Sequence, residues 1–166
     1  MLRLIVPHLY VESVCELTPE RLRELGIDAL LLDVDCTLKR YRGQQVGDDV
    51  AAWIEELRAR GFGLCLLSNG WGRRIGRLAG QLDLPFVAKA LKPLPFALKR
   101  AIRKLGFSRS KTAMVGDQLF ADIMAARLAG VTAILVEPMH PEEEPLVTRV
   151  KRPLERFLLR RILKGK

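Results

Sequence analysis

The chain has 166 residues, 49% hydrophobic and 28% charged, a length that accommodates one domain and a balance that excludes disordered, collagenous and coiled-coil chains. No run approaches the roughly 18 apolar residues of a membrane span, and three cysteines without CxxC spacing (Cys15, Cys36, Cys65) furnish neither a disulfide framework nor a zinc ribbon, so a reducing cytoplasm is expected. The net charge of +9 is concentrated at one end, where residues 149–166 hold eight Lys and Arg against Glu155 alone, a segment drawn to nucleic acid or to the anionic inner face of a membrane.

Taken in chain order, the first helix has its signals in place: Thr18 as N-cap, Pro19 at the first helical position and Gly26 just past the end. An apolar run over 27–32 follows, then a helix over 49–60 with Val50, Trp53, Ile54 and Leu57 on one face. Further runs at 62–67, 86–88, 112–115 and 132–136 alternate with helices expected over 73–81, 95–105 and 119–129. Strands joined by helical crossovers pair in parallel, which predicts an α/β fold with a central parallel sheet of about five strands flanked by helices. Residues 153–164 read as a last, amphipathic helix, with Leu154, Phe157, Leu158, Ile162 and Leu163 toward one side and Arg156, Arg160 and Lys164 aligned four apart. The expectation is a single domain over 1–166, its core at about 27–137 and its basic helical segment at about 149–166.

Open parallel sheets bind ligands beyond the carboxyl ends of their strands, so the residues that follow each apolar run carry the chemistry. After the first run come Asp33-Val34-Asp35, whose acids share a face of an extended segment. Two carboxylates that close call for a cation, and a hard ion such as Mg²⁺ suits them. Ser68-Asn69-Gly70 ends the second run, Lys92-Pro93 follows the third, and Gly116-Asp117 ends the fourth with Asp122 five residues on. Singly, each reads as a turn, a surface amine or an acid near a helix N-terminus. Together they supply what phosphoryl transfer needs. Asp33 would attack phosphorus to form an aspartyl-phosphate. Asp35 would protonate the leaving alkoxide and later activate water. The Ser68 hydroxyl and Asn69 backbone N–H would bind phosphate oxygens, and Lys92 would offset negative charge. Asp33, Asp117 and the Asp35 backbone carbonyl would hold the metal, with Asp122 supporting its outer coordination.

This set resembles the haloacid dehalogenase (HAD) superfamily of phosphatases, whose pattern is DxDxT, then Ser or Thr, then Lys, then an acidic pair. Asp33 through Thr37, Ser68, Lys92 and Gly116-Asp117 with Asp122 match it in order, with Thr37 in a supporting position. Leu91-Lys92-Pro93, Gly116 through Phe120, Val136-Glu137-Pro138, Arg152 and Glu155-Arg156 are similar to the YqeG-type branch of subfamily IIIA, which extends the likeness to nearly the whole chain. The resemblance implies a Rossmann-like HAD fold and Mg²⁺ dependence. One departure is Cys36, where the superfamily usually has Asn or Gly.

Cys36 also raises a rival, since Cys36 and Arg42 have the spacing of cysteine-dependent phosphatases; the bulky Leu38, Lys39, Arg40 and Tyr41 between them argue against a phosphate-wrapping loop. The stretches 39–61 and 70–91, where HAD phosphatases insert cap domains, are too short for one, so no cap is expected and the pocket should be open. An open pocket suits a phosphate on something large. The YqeG-like branch is similar to phosphatidylglycerophosphate phosphatases, so a lipid head group is the expected substrate, with membrane contact through 149–166. Nucleotide, nucleic-acid and sugar phosphates are the alternatives within the family. A non-hydrolytic phospho-acceptor and an RNA- or membrane-binding module are those outside it, although 6% aromatic residues offer little stacking platform for nucleic acid.

Overall fold

The computed structural model of the chain describes residues 2–164. Six parallel strands, β1 (Leu9–Val11), β2 (Ala29–Leu32), β3 (Gly63–Leu67), β4 (Phe86–Val87), β5 (Thr112–Gly116) and β6 (Thr132–Val136), form one sheet in the order β1-β6-β5-β2-β3-β4. Helices α1 (Pro19–Glu24), α2 (Asp48–Ala59), α3 (Gly72–Leu82), α4 (Phe96–Lys104) and α5 (Met124–Ala129) lie between the strands, and α6 (Leu146–Lys164) follows the last. The fold is the expected α/β arrangement, and among the described residues no cap domain interrupts it.

The strands are buried on both faces, and their alternation splits the core in two. Leu30, Leu32, Leu64 and Leu66 join one cluster with Ile54, Leu57 and Ile75; Leu31, Cys65, Leu67 and Met114 join the other with Leu98 and Ala126. Helix ends follow local chemistry. Thr18 Oγ1 accepts from the Arg21 N–H at 3.3 Å, and Gly26 past the end of α1 takes φ +69°, a left-handed conformation cheap only for glycine.

Three differences from expectation have physical causes. Strand β1 lies before the expected core; it is three residues long and at the sheet edge, tied in by His8 N–H to Ala133 O at 2.8 Å and Glu137 N–H to Val11 O at 3.0 Å. The helix expected over 119–129 opens with a π-helical turn at Leu119–Ile123, where Asp122 Oδ2 accepts from the Gln118 N–H at 3.0 Å. Helix α6 begins seven residues before Pro153 and runs through it, although an interior proline removes a backbone hydrogen bond. The neighbouring Arg152 is the reason the segment stays seated, as its contacts below show. On α6, Leu158 and Leu159 pack against the core while Leu154 and Phe157 face outward, so the apolar residues expected on one side are divided between two. The side chains of Leu163 and Lys164, and residues 165–166 with Lys166, lie outside the described residues.

Candidate active site

Strand order dictates where the site sits. From β2 the chain crosses to β3 on one side, while β5 pairs on the other, and the reversal opens a crevice beyond the carboxyl ends of these strands. A cleft of about 550 Å³ occupies it, lined by Asp33, Asp35, Ser68, Asn69 and Lys92 together with Trp71, Arg74, Gln118, Glu144 and Lys151. Asp33 follows β2 directly, its N–H bonded to Val115 O at 2.9 Å, and Ser68 follows β3 with its N–H on Val87 O at 3.0 Å. The residues at issue are thus rooted in the sheet.

Lys92 lies at the centre. Its ammonium donates to Asp33 Oδ1 at 2.5 Å, Asp122 Oδ1 at 2.6 Å and Leu67 O at 3.1 Å. Asn69 fixes the root of that side chain, since its amide accepts from the Lys92 N–H at 2.8 Å and donates to the Lys92 carbonyl at 3.1 Å. The Thr37 hydroxyl sits 3.1 Å from both Asp33 Oδ2 and Asp117 Oδ1, and its single proton serves one of them at a time. Gly116 explains the closeness of Asp117 and Asp122: a Cβ there would meet the Asp122 carboxyl carbon at 2.3 Å, so only glycine leaves room for that acid.

Asp35 and Asp117 each meet a cation from a distant part of the chain. Asp35 is paired with Arg74 of α3 through two hydrogen bonds of 2.6 and 2.5 Å, and with Lys39 at 2.9 Å. Arg152 of α6, itself buried, donates to Asp117 Oδ2, to the Asp117 carbonyl at 2.7 Å, to both Glu144 oxygens and to Glu155 at 3.2 Å. Glu155 in turn accepts from the Phe120 N–H at 3.1 Å. Neither Arg74 nor Arg152 was singled out as a site residue. The first follows the end of β3 by seven residues, and the second enters the sequence reading only through the YqeG-type likeness, its one local signal being the helical i, i+3 spacing to Glu155.

Among the described residues, five carboxylates are buried here (Asp33, Asp117, Asp122, Glu144, Glu155) against two buried cations, Lys92 and Arg152, apart from the Lys39–Asp35 pair. The surplus negative charge has visible consequences. Burial pushes the Asp33 carboxyl up to about 6, with Lys92 opposing the rise and Asp122 adding to it. Burial likewise raises Asp117, against the pull of Arg152. Asp35 goes the other way: burial opposes ionisation, yet the hydrogen bonds from Arg74 and Lys39 hold its carboxyl below the usual range. Asp35 is therefore a paired carboxylate in this state, whereas the acid role expected for it requires a proton. The donor set suits a hard divalent cation: ligand oxygens of Asp33, Asp117 and Asp122 all lie within 4.8 Å of one another, and such an ion would balance the acids that Lys92 and Arg152 leave uncompensated.

Cys36 is buried and holds φ +64°, in the left-handed region, which accounts for the Asn or Gly that related patterns carry at this position. Burial pushes its thiol well up, reinforced by Asp117 and Glu144, so it is protonated near neutrality and a poor nucleophile. Arg42 is exposed and turned to Glu143 through its backbone. Cys36→Ser is accordingly expected to keep phosphatase turnover within about threefold of the parent, measured as phosphate release, and a loss of a hundredfold would revive the cysteine mechanism.

Comparison with known proteins gives the family and the fold. Residues 8–130 match the haloacid dehalogenase-like hydrolase family. The chain is 29% identical over 157 residues to the probable phosphatase YqeG of Bacillus subtilis, covering 95% of this chain and 91% of that one. It is 25% identical over 169 residues to phosphatidylglycerophosphate phosphatase 1 of Arabidopsis thaliana and 31% identical over 140 residues to a phosphoserine phosphatase of Thermus thermophilus, covering 96% and 76% of this chain but only 49% and 53% of theirs. A HAD family hydrolase from Deinococcus radiodurans, crystallised with bound phosphate and sodium, shares the fold at TM-score 0.58 and 16% identity over 76% of this chain and 88% of that one.

Proposed function

The chain belongs to the haloacid dehalogenase-like hydrolases and is a phosphatase of the YqeG type, and from that footing we propose that it is a Mg²⁺-dependent phosphomonoesterase acting through an aspartyl-phosphate on a lipid phosphate such as phosphatidylglycerophosphate. The observation that carries this reading is the convergence of Asp33 with Lys92 and with Asp117 and Asp122 at the carboxyl edge of the sheet. Asp33 attacks phosphorus in line and becomes the acyl phosphate. Lys92 holds the attacking carboxylate and draws charge from the phosphoryl oxygens, which the Ser68 hydroxyl and Asn69 backbone N–H also receive. Asp35, ionised while paired, takes up a proton from solvent as its cations turn to the incoming phosphate, gives that proton to the leaving alkoxide, and takes one back from the water that hydrolyses the acyl phosphate. To do so it must first part from Arg74, whose guanidinium lines the cleft where an incoming phosphate would compete for it. Asp33, Asp117, Asp122 and the Asp35 carbonyl would hold the metal, which when bound supplies the charge neutralisation that lets two anions meet.

Two features favour a large substrate. The cleft is open, with no inserted domain among the described residues to enclose a small metabolite, and the Arabidopsis relative is named for phosphatidylglycerophosphate. Purified protein assayed with Mg²⁺ against phosphatidylglycerophosphate in micelles, phosphoserine, nucleotides and sugar phosphates is expected to prefer the lipid in kcat/KM by about tenfold or more. A preference for a soluble phosphate would overturn the substrate, and failure to hydrolyse any phosphoester would overturn the reaction.

Metal removal has a signed consequence for stability. The folded-state pKa of Asp33 is raised above that of an unfolded aspartate, so stability present at low pH is lost as pH rises through about 6. Asp117 acts in the same direction. In chelator, unfolding free energy should fall as pH rises from about 4 to about 7, and Mg²⁺ should raise the melting temperature more at neutral than at acid pH. Thermal denaturation with and without metal measures both; a metal-free chain that gains stability over this interval contradicts the charge assignment.

A further inference from the structure

Helix α6 has an outer face with no partner among the described residues. Leu146, Val150, Leu154 and Phe157 recur at i, i+4, i+8 and i+11, and Val147 lies beside them, so they form one stripe along the helix. They are 74%, 77%, 53% and 52% exposed, with Val147 at 71%. The buried side of the same helix is made by Arg152, Glu155, Leu158 and Leu159, so the stripe points away from the domain. Large apolar side chains contiguous over three turns and left in water mark a contact surface.

The flanks identify what it contacts. Lys151 borders the stripe on one side and Arg149, Arg156 and Arg160 on the other, while Arg161 lies over the Phe157 ring at 4.9 Å. Long cationic side chains bordering an apolar stripe reach up to phosphates while the stripe enters the acyl boundary. A protein partner would need carboxylates matched to each of these cations; an anionic bilayer presents phosphates everywhere along the helix. The cleft opens on the same helix, because Lys151, Thr148 and Pro145 line it, and Trp71, also in its lining, is 74% exposed with Lys89 over its ring at 4.7 Å. An exposed tryptophan beside a lysine suits the interface between head groups and water.

We propose that the outer face of α6, with Trp71 of the cleft lining as a further anchor, docks this protein on an anionic bilayer so that the cleft meets head-group phosphates in the plane of the membrane. The proposal deepens the lipid-phosphate reading above and rests on it for what enters the cleft. Flotation with vesicles of phosphatidylcholine containing about one-third phosphatidylglycerol should capture the full chain at least about tenfold more strongly than phosphatidylcholine alone, and added salt should release it. The variant Val150→Asp/Phe157→Asp should weaken capture by about tenfold or more, with hydrolysis of p-nitrophenyl phosphate unchanged because neither side chain lines the cleft. Equal capture of variant and parent overturns the proposal, as does a parent that ignores vesicles but forms a dimer the variant abolishes, which would make the stripe a self-association face. The substrate reading fails separately: vesicles captured but phosphatidylglycerophosphate in micelles left intact sinks the lipid substrate, and the reverse pattern sinks the docking face alone.

Discussion

Asp33→Asn is expected to lower phosphatase turnover by about a thousand-fold or more while leaving the chain folded. Asparagine keeps the shape of the side chain and an oxygen that can accept from Lys92, whose ammonium lies 2.5 Å from Asp33 Oδ1. What disappears is the carboxylate that bonds to phosphorus. The fold should not suffer, because burial already pushes this carboxyl up to about 6 in the metal-free chain, and a neutral amide lowers the excess of buried acids over buried cations while Lys92 keeps Asp122. Acid-quenched samples should show a phosphoryl-enzyme in the parent and none in the variant, with melting temperature in chelator equal or higher. Turnover within tenfold of the parent would remove Asp33 from the reaction.

Arg152→Met should have the largest effect on stability. The guanidinium is the common partner of Asp117, Glu144 and Glu155, all buried, and breaking a buried ion pair by removing one member typically costs about 3–5 kcal/mol. For a chain of this size that corresponds to a fall of roughly 10 °C in melting temperature. Arg152 acts on Asp117 from behind and does not line the cleft, so it is a positioning residue. A purely structural role would lower stability alone. A positioning role also weakens Mg²⁺ binding, measured by titration calorimetry below the melting transition, because Asp117 loses the contact that orients its carboxylate. Arg152→Lys should recover part of the stability but not the metal affinity, since an ammonium cannot reproduce the forked contacts to Asp117 and Glu144. Unchanged metal affinity in both variants would reduce Arg152 to a fold determinant.

Legibility in the sequence followed how local each signal was. Strands β2, β3, β5 and β6 are buried apolar runs ended by polar residues, and the caps of α1 depend on Thr18, Pro19 and Gly26 in place. β1 lacked such a signal because three residues at a sheet edge, two of them only partly buried, carry no period. The start of α6 was obscured by Pro153, a residue that usually opens helices, and by apolar side chains that turn outward. Asp33, Ser68, Lys92 and Asp117 could be grouped from sequence because a parallel sheet brings its strand ends together whatever the intervening length. Arg74, Glu144 and Arg152 enter the cleft region from helices and a loop, where no periodicity distinguishes an inward cation from a solvated one. The pairing state of Asp35 was hidden for the same reason, since both its cations come from such segments or from a tight local turn.

The clamp between Asn69 and the Lys92 backbone has a wider bearing. An amide side chain here imitates a rung of the ladder, extending β-type pairing past the last residues of β3 and β4, so the root of the lysine is set by main-chain geometry while Asp33, Asp122 and the Leu67 carbonyl hold its ammonium. The reaction centre and the sheet therefore share one scaffold, and heat should silence the enzyme only when the whole ladder gives way, with no earlier stage in which a folded body carries a slack centre.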